Sequence, residues 1–211
     1  MRMRVIAVLN QKGGSGKTTI ASNLAAVLHN RGHRVAIVDA DSSQGTVSEW
    51  ASRDDNTPTV LASHEPKLDK NIPALDGAFD FVVIDGAPHV EDMARSAIMA
   101  ADLVLIPVRP SAADIWSAED IVDLVQARRE VTGAPQAVFV VSQQVLRSNL
   151  ADSVNEALAS FDAPVLEART SSRVAYAEAL GAGLSVLDLD NSKAAKEVEA
   201  LTDEVLTYLN A

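Results

Sequence analysis

Val5-Ile6-Ala7-Val8-Leu9 runs straight into Asn10-Gln11-Lys12-Gly13-Gly14-Ser15-Gly16-Lys17-Thr18-Thr19, and the residues that follow keep helical spacing to Asn30. An apolar strand, a glycine-rich turn ending in Gly-Lys-Thr and a helix form the arrangement of a phosphate-binding loop. The turn across Gly13, Gly14, Ser15 and Gly16 aims successive backbone N–H groups inward at phosphate oxygens, and the helix adds the positive end of its dipole. Lys17 supplies a cation for the outer phosphates. Thr18 offers a hydroxyl to magnesium, and Thr19 reaches the first phosphate. A second lysine, Lys12, stands at the front of the loop, where a solvated loop charge is the plain alternative.

Short Val- and Ile-rich runs recur beyond this unit: Val35–Val38, Phe81–Ile84, Leu103–Ile106 and Val138–Val141, with shorter ones at Val60-Leu61 and Val165-Leu166. Continuous apolar runs are what strands buried on both faces of a parallel sheet require. Helices are predicted over Lys17–Asn30, Thr46–Ser52, His89–Ala100, Ala113–Thr132, Leu150–Ser160, Val174–Leu180 and Ser192–Leu209. Polar Arg53–Asp76 is expected to form surface loop and short helix. This alternation predicts an α/β fold, a single doubly wound, mostly parallel sheet flanked by helices, as one domain over residues 1–211. No added N-terminal DNA-reading module is expected ahead of the first strand.

Composition narrows the function. With 47% hydrophobic residues the 211-residue chain is not disordered, and with no cysteine it is neither a disulfide scaffold nor an iron–sulfur protein. No apolar run approaches a membrane span or a signal-peptide core, so a cytoplasmic protein is expected. Eighteen basic against 29 acidic residues give a net charge of −11, which argues against a bulk polycation that coats nucleic acid.

Two further carboxylate sites close predicted strands. Val38-Asp39-Ala40-Asp41 places two acids at the ligand-binding edge of the sheet, with caps of the following helix as the alternative reading. Phe81-Val82-Val83-Ile84-Asp85-Gly86 ends four apolar residues in an acid, the pattern of a Walker B strand whose carboxylate holds a magnesium-bound water. Gly86 is expected to bring its N–H to the γ-phosphate.

Lys12-Gly13-Gly14-Ser15-Gly16-Lys17-Thr18 resembles the ParA/MinD family of deviant Walker A ATPases, and within it the small plasmid-partition ParA proteins that lack an N-terminal operator-binding domain. Asp39–Gln44 resembles the family's switch I with Ser42-Ser43-Gln44 in place of the usual Pro-Gln pair, and Asp85-Gly86-Ala87-Pro88 is a partial match to switch II. Ala97-Ile98-Met99-Ala100-Ala101-Asp102-Leu103-Val104-Leu105-Ile106-Pro107-Val108, Arg147-Ser148-Asn149-Leu150 and Thr170–Ala179 extend the resemblance over essentially the whole chain. It implies ATP and Mg2+ as cofactors and an ATP-dependent homodimer in which Lys12 reaches the partner's phosphates. It further implies that Asp41 positions the attacking water, that Asp39 helps hold magnesium, and that Pro110 lies near the base. Gln143 and Gln144 are candidates for base recognition.

The function implied is a slow, partner-stimulated ATPase that binds nucleoid DNA without sequence preference and, with a centromere-binding adaptor, segregates plasmid or chromosome DNA. The alternatives are a positioner of another cargo, such as a carboxysome or chemoreceptor cluster, and a small-molecule ATP-using enzyme of the same fold. Candidates for DNA contact are Arg147, Arg169, Arg173, Lys193 and Lys196, with Arg173 foremost because it opens a helix. The C-terminal helix carries Glu197, Glu199, Asp203 and Glu204 on its polar face, so it is expected to dock on the core and not on a membrane.

Overall fold

The computed structural model describes residues 2–41, 47, 57–63, 65–88, 91–145, 154, 156–190 and 192–210. Six strands form one sheet: β1 (Arg4–Val8), β2 (Val35–Asp39), β3 (Thr59–Ala62), β4 (Phe81–Asp85), β5 (Leu103–Val108) and β6 (Gln136–Val141). Their order is β3-β2-β4-β1-β5-β6 and every pairing is parallel, so the mostly parallel sheet expected from sequence is parallel throughout. Asp39 and Asp85 are register partners at the ends of β2 and β4, and Val8 of β1 is paired with Asp85. All three strands therefore deliver their last residues to one edge.

The period of two along each strand divides the core. Val5, Ala7, Ile84, Ile106 and Phe139 face a layer built on α3 (Glu91–Ala100) and α5 (Glu119–Thr132), after α2 (Leu68–Asn71) and ahead of β6. Ile6, Val8, Val83, Leu105 and Val140 face α1 (Lys17–Asn30) and α7 (Ser192–Asn210). Each large side chain buried there contributes roughly 1.5–3 kcal/mol of transfer free energy. α6 (Val174–Ala182) joins α1 and α7 in a third cluster through Ala175, Tyr176, Ala179, Val27 and Val198. Val198, Leu201, Val205 and Leu209 are all buried, so the C-terminal helix docks on the core as expected. Among the described residues no helix is long and apolar enough to cross a membrane.

Two expected elements come out differently. The helix predicted over Ala113–Thr132 is two helices, α4 (Ala112–Trp116) and α5. The Ser117 hydroxyl donates to the Asp114 carbonyl at 2.7 Å, and the Ala118 amide, which would continue the helix onto that carbonyl, bonds Ile115 instead at 3.1 Å. Val165-Leu166 is not a strand but a single bridge to Phe139. Pro164 has no N–H to give a ladder, and beyond the Leu166 amide, which donates to the Phe139 carbonyl at 2.9 Å, the amides of Glu167 and Ala168 donate to the Glu204 carboxylate on α7. The predicted helix over Thr46–Ser52 and the start of the one over Leu150–Ser160 lie outside the described residues, Val47 excepted; so do Arg147 and the Ser42-Ser43-Gln44 stretch.

Candidate functional site

The loop between β1 and α1 is held from behind before any ligand is considered. Asn10 is buried: its amide nitrogen donates to the Pro107 carbonyl at 2.7 Å, and its oxygen accepts the Lys12 amide at 2.8 Å. On the other side the Ser142 hydroxyl, just past β6, donates to the Ser15 carbonyl at 2.6 Å, and Gln143 Nε2 donates to the Gly14 carbonyl at 2.9 Å. Gly16 caps α1 with φ +96°, a left-handed conformation that a side chain would strain, and an added Cβ would stand 3.4 Å from Ser142. The loop's carbonyls are thus tied outward.

Lys17 is buried, 7% exposed, with its ammonium donating to the Lys12 carbonyl at 3.1 Å. Burial pulls its pKa below the ordinary lysine value, against the opposing pull of Asp85 and Asp41. A cation so poorly solvated favours an anion brought within reach. The Thr18 hydroxyl donates to Asp85 Oδ2 at 2.7 Å, while Asp85 Oδ1 is buried with no hydrogen-bond partner among the described residues. Burial raises the Asp85 carboxyl to about 7, with the Thr18 hydrogen bond opposing and neighbouring Asp39 adding to the rise. Beside it Asp39 accepts the Asp41 amide at 3.1 Å. Asp41 itself lines a cavity of about 210 Å³ with Gly13, Gly14, Gly16, Lys17, Thr18, Thr19 and Pro88.

The Asp85 shift has a consequence for stability. An acid whose pKa is raised on folding contributes fully below its unfolded value near 3.8 and loses that contribution as pH rises towards 7. In magnesium- and nucleotide-free buffer, Asp85→Asn is therefore expected to be more stable than the parent at pH 8, by roughly 2 kcal/mol. The gain should vanish near pH 4. Thermal melts at the two pH values check this; an equal difference at both would contradict the shift.

The front lysine is engaged within its own chain. Lys12 Nζ pairs with Asp114 Oδ2 at 2.8 Å, and Asp114, on α4 and 1% exposed, also binds Arg109 Nε at 2.9 Å and the Ser111 hydroxyl. Burial pushes the Asp114 carboxyl up, but its bonds to Arg109, Lys12 and Ser111 together hold it below the usual range. Sequence reasoning missed Asp114 and Arg109. The one available signal was an acid set between Ala113 and Ile115 at the head of an otherwise apolar short helix.

Other expected site residues fall differently. The Gly86 amide donates to the Val8 carbonyl at 3.1 Å, so here it belongs to the sheet and not to a phosphate pocket. A Cβ at Gly86 would sit 2.9 Å from that carbonyl and collide with Leu9, so the close strand approach requires glycine. Pro110 forms a bend between Arg109 and Ser111 and lines neither the 210 Å³ cavity nor the one beside it. A second cavity, about 290 Å³, shares Gly16, Thr19, Gln143 and Leu180 with the first and continues past Thr170, Ser171, Ser172, Arg173 and Tyr176. Gln143 lines it, whereas Gln144 forms a bridge with Ser171. Of the basic candidates, Lys193 and Lys196 are exposed on α7. Arg173 is instead fixed to Glu197 at 2.7 Å with 19% of its side chain exposed.

Residues 6–186 match the CobQ/CobB/MinD/ParA nucleotide binding domain, CbiA. The chain belongs to that family. Its relatives within and around the ParA branch include the maintenance of carboxysome distribution protein A of Halothiobacillus neapolitanus, 32% identical over 210 residues that cover 95% of each chain. Protein ParA of Rhizobium radiobacter is 29% identical over 180 residues, 82% of this chain and 81% of that one. Among solved structures, the septum site-determining protein MinD of Pyrococcus horikoshii, complexed with Mg-ADP, superposes with a TM-score of 0.79 at 21% identity over 99% of both chains. That likeness establishes the fold.

Proposed function

We propose that the chain is a magnesium-dependent ATPase of the ParA type that dimerises on ATP and distributes an intracellular cargo. The observation that carries this reading is the paired-lysine loop: a desolvated Lys17 lines the phosphate cavity, and a second cation, Lys12, is held beside the loop on an ion pair with Asp114. The two joined cavities fit a nucleotide, phosphates against the loop and nucleoside against Gln143 and the Thr170–Arg173 segment.

The donor set beside the loop suits magnesium. The Thr18 hydroxyl, Asp85 with its unpartnered buried oxygen, and Asp39 are hard oxygen donors. Magnesium keeps several waters and phosphate oxygens in its shell, so one or two carboxylates and a hydroxyl are enough to hold it. When bound, the ion would neutralise charge on the outer phosphates. The chain's own groups do the rest. Lys17 and the loop amides hold the phosphates, and Asp41, facing the same cavity, orients the attacking water. Lys12 leaves Asp114 to meet the charge of the partner's nucleotide, as a finger residue does.

For the cargo, the carboxysome-distribution relatives weigh more than plasmid partition, because their identity runs end to end over the chain, 95% of both proteins in one case and 93% against 89% in another. DNA contact would fall to Lys193 and Lys196, with Arg169 and Arg147, and would be an ATP-dimer property in view of the charge of −11. Deleting the gene in its source cells and imaging protein bodies while scoring plasmid loss tests the cargo. Clustered bodies with plasmids retained are expected. Plasmid loss with evenly spaced bodies would favour the partition reading, which the ParA relative at 29% identity supports.

A further inference from the structure

We propose that Glu197, on the C-terminal helix, is a positioning residue for the nucleoside end of the bound nucleotide: its carboxylate holds together the loop wall against which base and ribose lie. This rests on the nucleotide reading above and goes beyond it by assigning a role to an element outside the phosphate loop and switches.

The wall is held from two sides, by backbone bonds to the end of β6 and by carboxylates of α7. Between the Phe139–Val165 bridge and α6, the chain from Glu167 to Arg173 makes only one further bridge, Gln144 with Ser171. The Thr170 amide donates to the Val141 carbonyl at 3.1 Å and the Ser172 amide to the Gln144 carbonyl at 2.9 Å, while the donors of Glu167, Ala168, Ser171 and Arg173 turn to α7. Glu204 accepts the Glu167 and Ala168 amides at 2.9 and 2.7 Å. Seven residues earlier, two helical turns or about 10 Å along the same face, Glu197 accepts five hydrogen bonds. Oε1 takes the Ser171 hydroxyl at 2.7 Å and Arg173 Nε and Nη2 at 3.0 and 2.7 Å; Oε2 takes the Ser171 amide at 3.0 Å and the Tyr176 hydroxyl at 2.8 Å.

Every one of these donors belongs to a residue that lines the 290 Å³ cavity, and none lines the phosphate cavity. The carboxylate is 16% exposed, and its hydrogen bonds to Arg173 and Ser171 hold its pKa below the usual glutamate value even though burial, the largest influence, pushes it up. It is thus a charged, fully engaged anchor that orients Ser171, Arg173 and Tyr176 together. Without it Arg173 would be freed to swing and the Ser171 amide would lose its acceptor, so the wall would lose its fixed shape. Glu204 clamps the adjoining stretch, whose residues do not line either cavity. It provides an internal control on the same helix face.

The test compares ATP with inorganic tripolyphosphate, both with magnesium, on the full-length chain and its variants. Tripolyphosphate engages only the phosphate loop. Glu197→Gln is expected to weaken ATP binding at least tenfold while leaving tripolyphosphate within twofold, and to raise KM for ATP with kcat nearly unchanged. Glu204→Gln is expected to lower the melting temperature with both affinities unchanged. Should Glu197→Gln fail to fold, Ser171→Ala removes one bond of the set and should weaken ATP about threefold with the same selectivity. If the Glu197 or Ser171 variant weakens ATP and tripolyphosphate in equal ratio, or neither, the positioning role is overturned. A parent chain that binds neither ligand would overturn the nucleotide reading itself, and this inference with it.

Discussion

Lys17→Ala is expected to lower ATP turnover at least a hundredfold, about 3 kcal/mol of transition-state stabilisation, while leaving the fold as stable as the parent or slightly more so. The two halves of that expectation come from one observation. Lys17 is 7% exposed and its ammonium donates to a backbone carbonyl, that of Lys12, at 3.1 Å. Burial lowers its pKa, so without nucleotide the charge costs the fold something, and removing it relieves that cost. With the phosphates present the same poorly solvated cation is worth more than it would be in water, because few other dipoles screen it. Phosphate release and thermal melts on the same preparation check both parts. A variant that loses turnover only in proportion to unfolded protein would contradict the assignment.

Lys12→Ala is expected to retain nucleotide binding within a few fold and yet to weaken ATP-dependent self-association about a hundredfold. Lys12 Nζ lies on Asp114, outside the residues that line the phosphate cavity of its own chain, so its loss removes little from that cavity. Asp114 keeps Arg109 and the Ser111 hydroxyl, which limits the damage to the fold. What disappears is the cation available to a second protomer's phosphates. Fluorescent-nucleotide titration beside sedimentation separates the two effects; equal losses in both would make Lys12 an ordinary member of its own site.

The parts of this molecule that were legible in the sequence are those set by neighbouring residues. The strand from Val5, the glycine turn and the helix from Lys17 form one continuous local unit, and each of its cues is a backbone preference. Asp39 and Asp85 could be placed because each ends a run of buried residues, which fixes it at the edge of the sheet. Asp114 could not, because its partners Lys12 and Arg109 stand 102 and 5 residues away, and a helical period does not distinguish an acid facing water from one facing two cations. The break at Ser117 depended on a hydroxyl choosing a carbonyl one turn back, a competition invisible to hydrophobic spacing. Glu197 and Glu204 read as a solvated acidic face on α7, and their bonds lie 21 to 37 residues upstream. The same contact explains Arg173: a helix-opening arginine reads as a free cation until Glu197 is packed against it.

The account turns on a dimer that forms because two lysine-bearing loops meet across bound triphosphate. Light scattering of the purified chain with magnesium and a non-hydrolysable ATP analogue, run beside ADP and beside Lys12→Ala, tests it most directly. Twice the protomer mass with the analogue, and the protomer mass in the other two samples, is the expected result. A single protomer mass in all three, or a dimer that Lys12→Ala leaves intact, would contradict it.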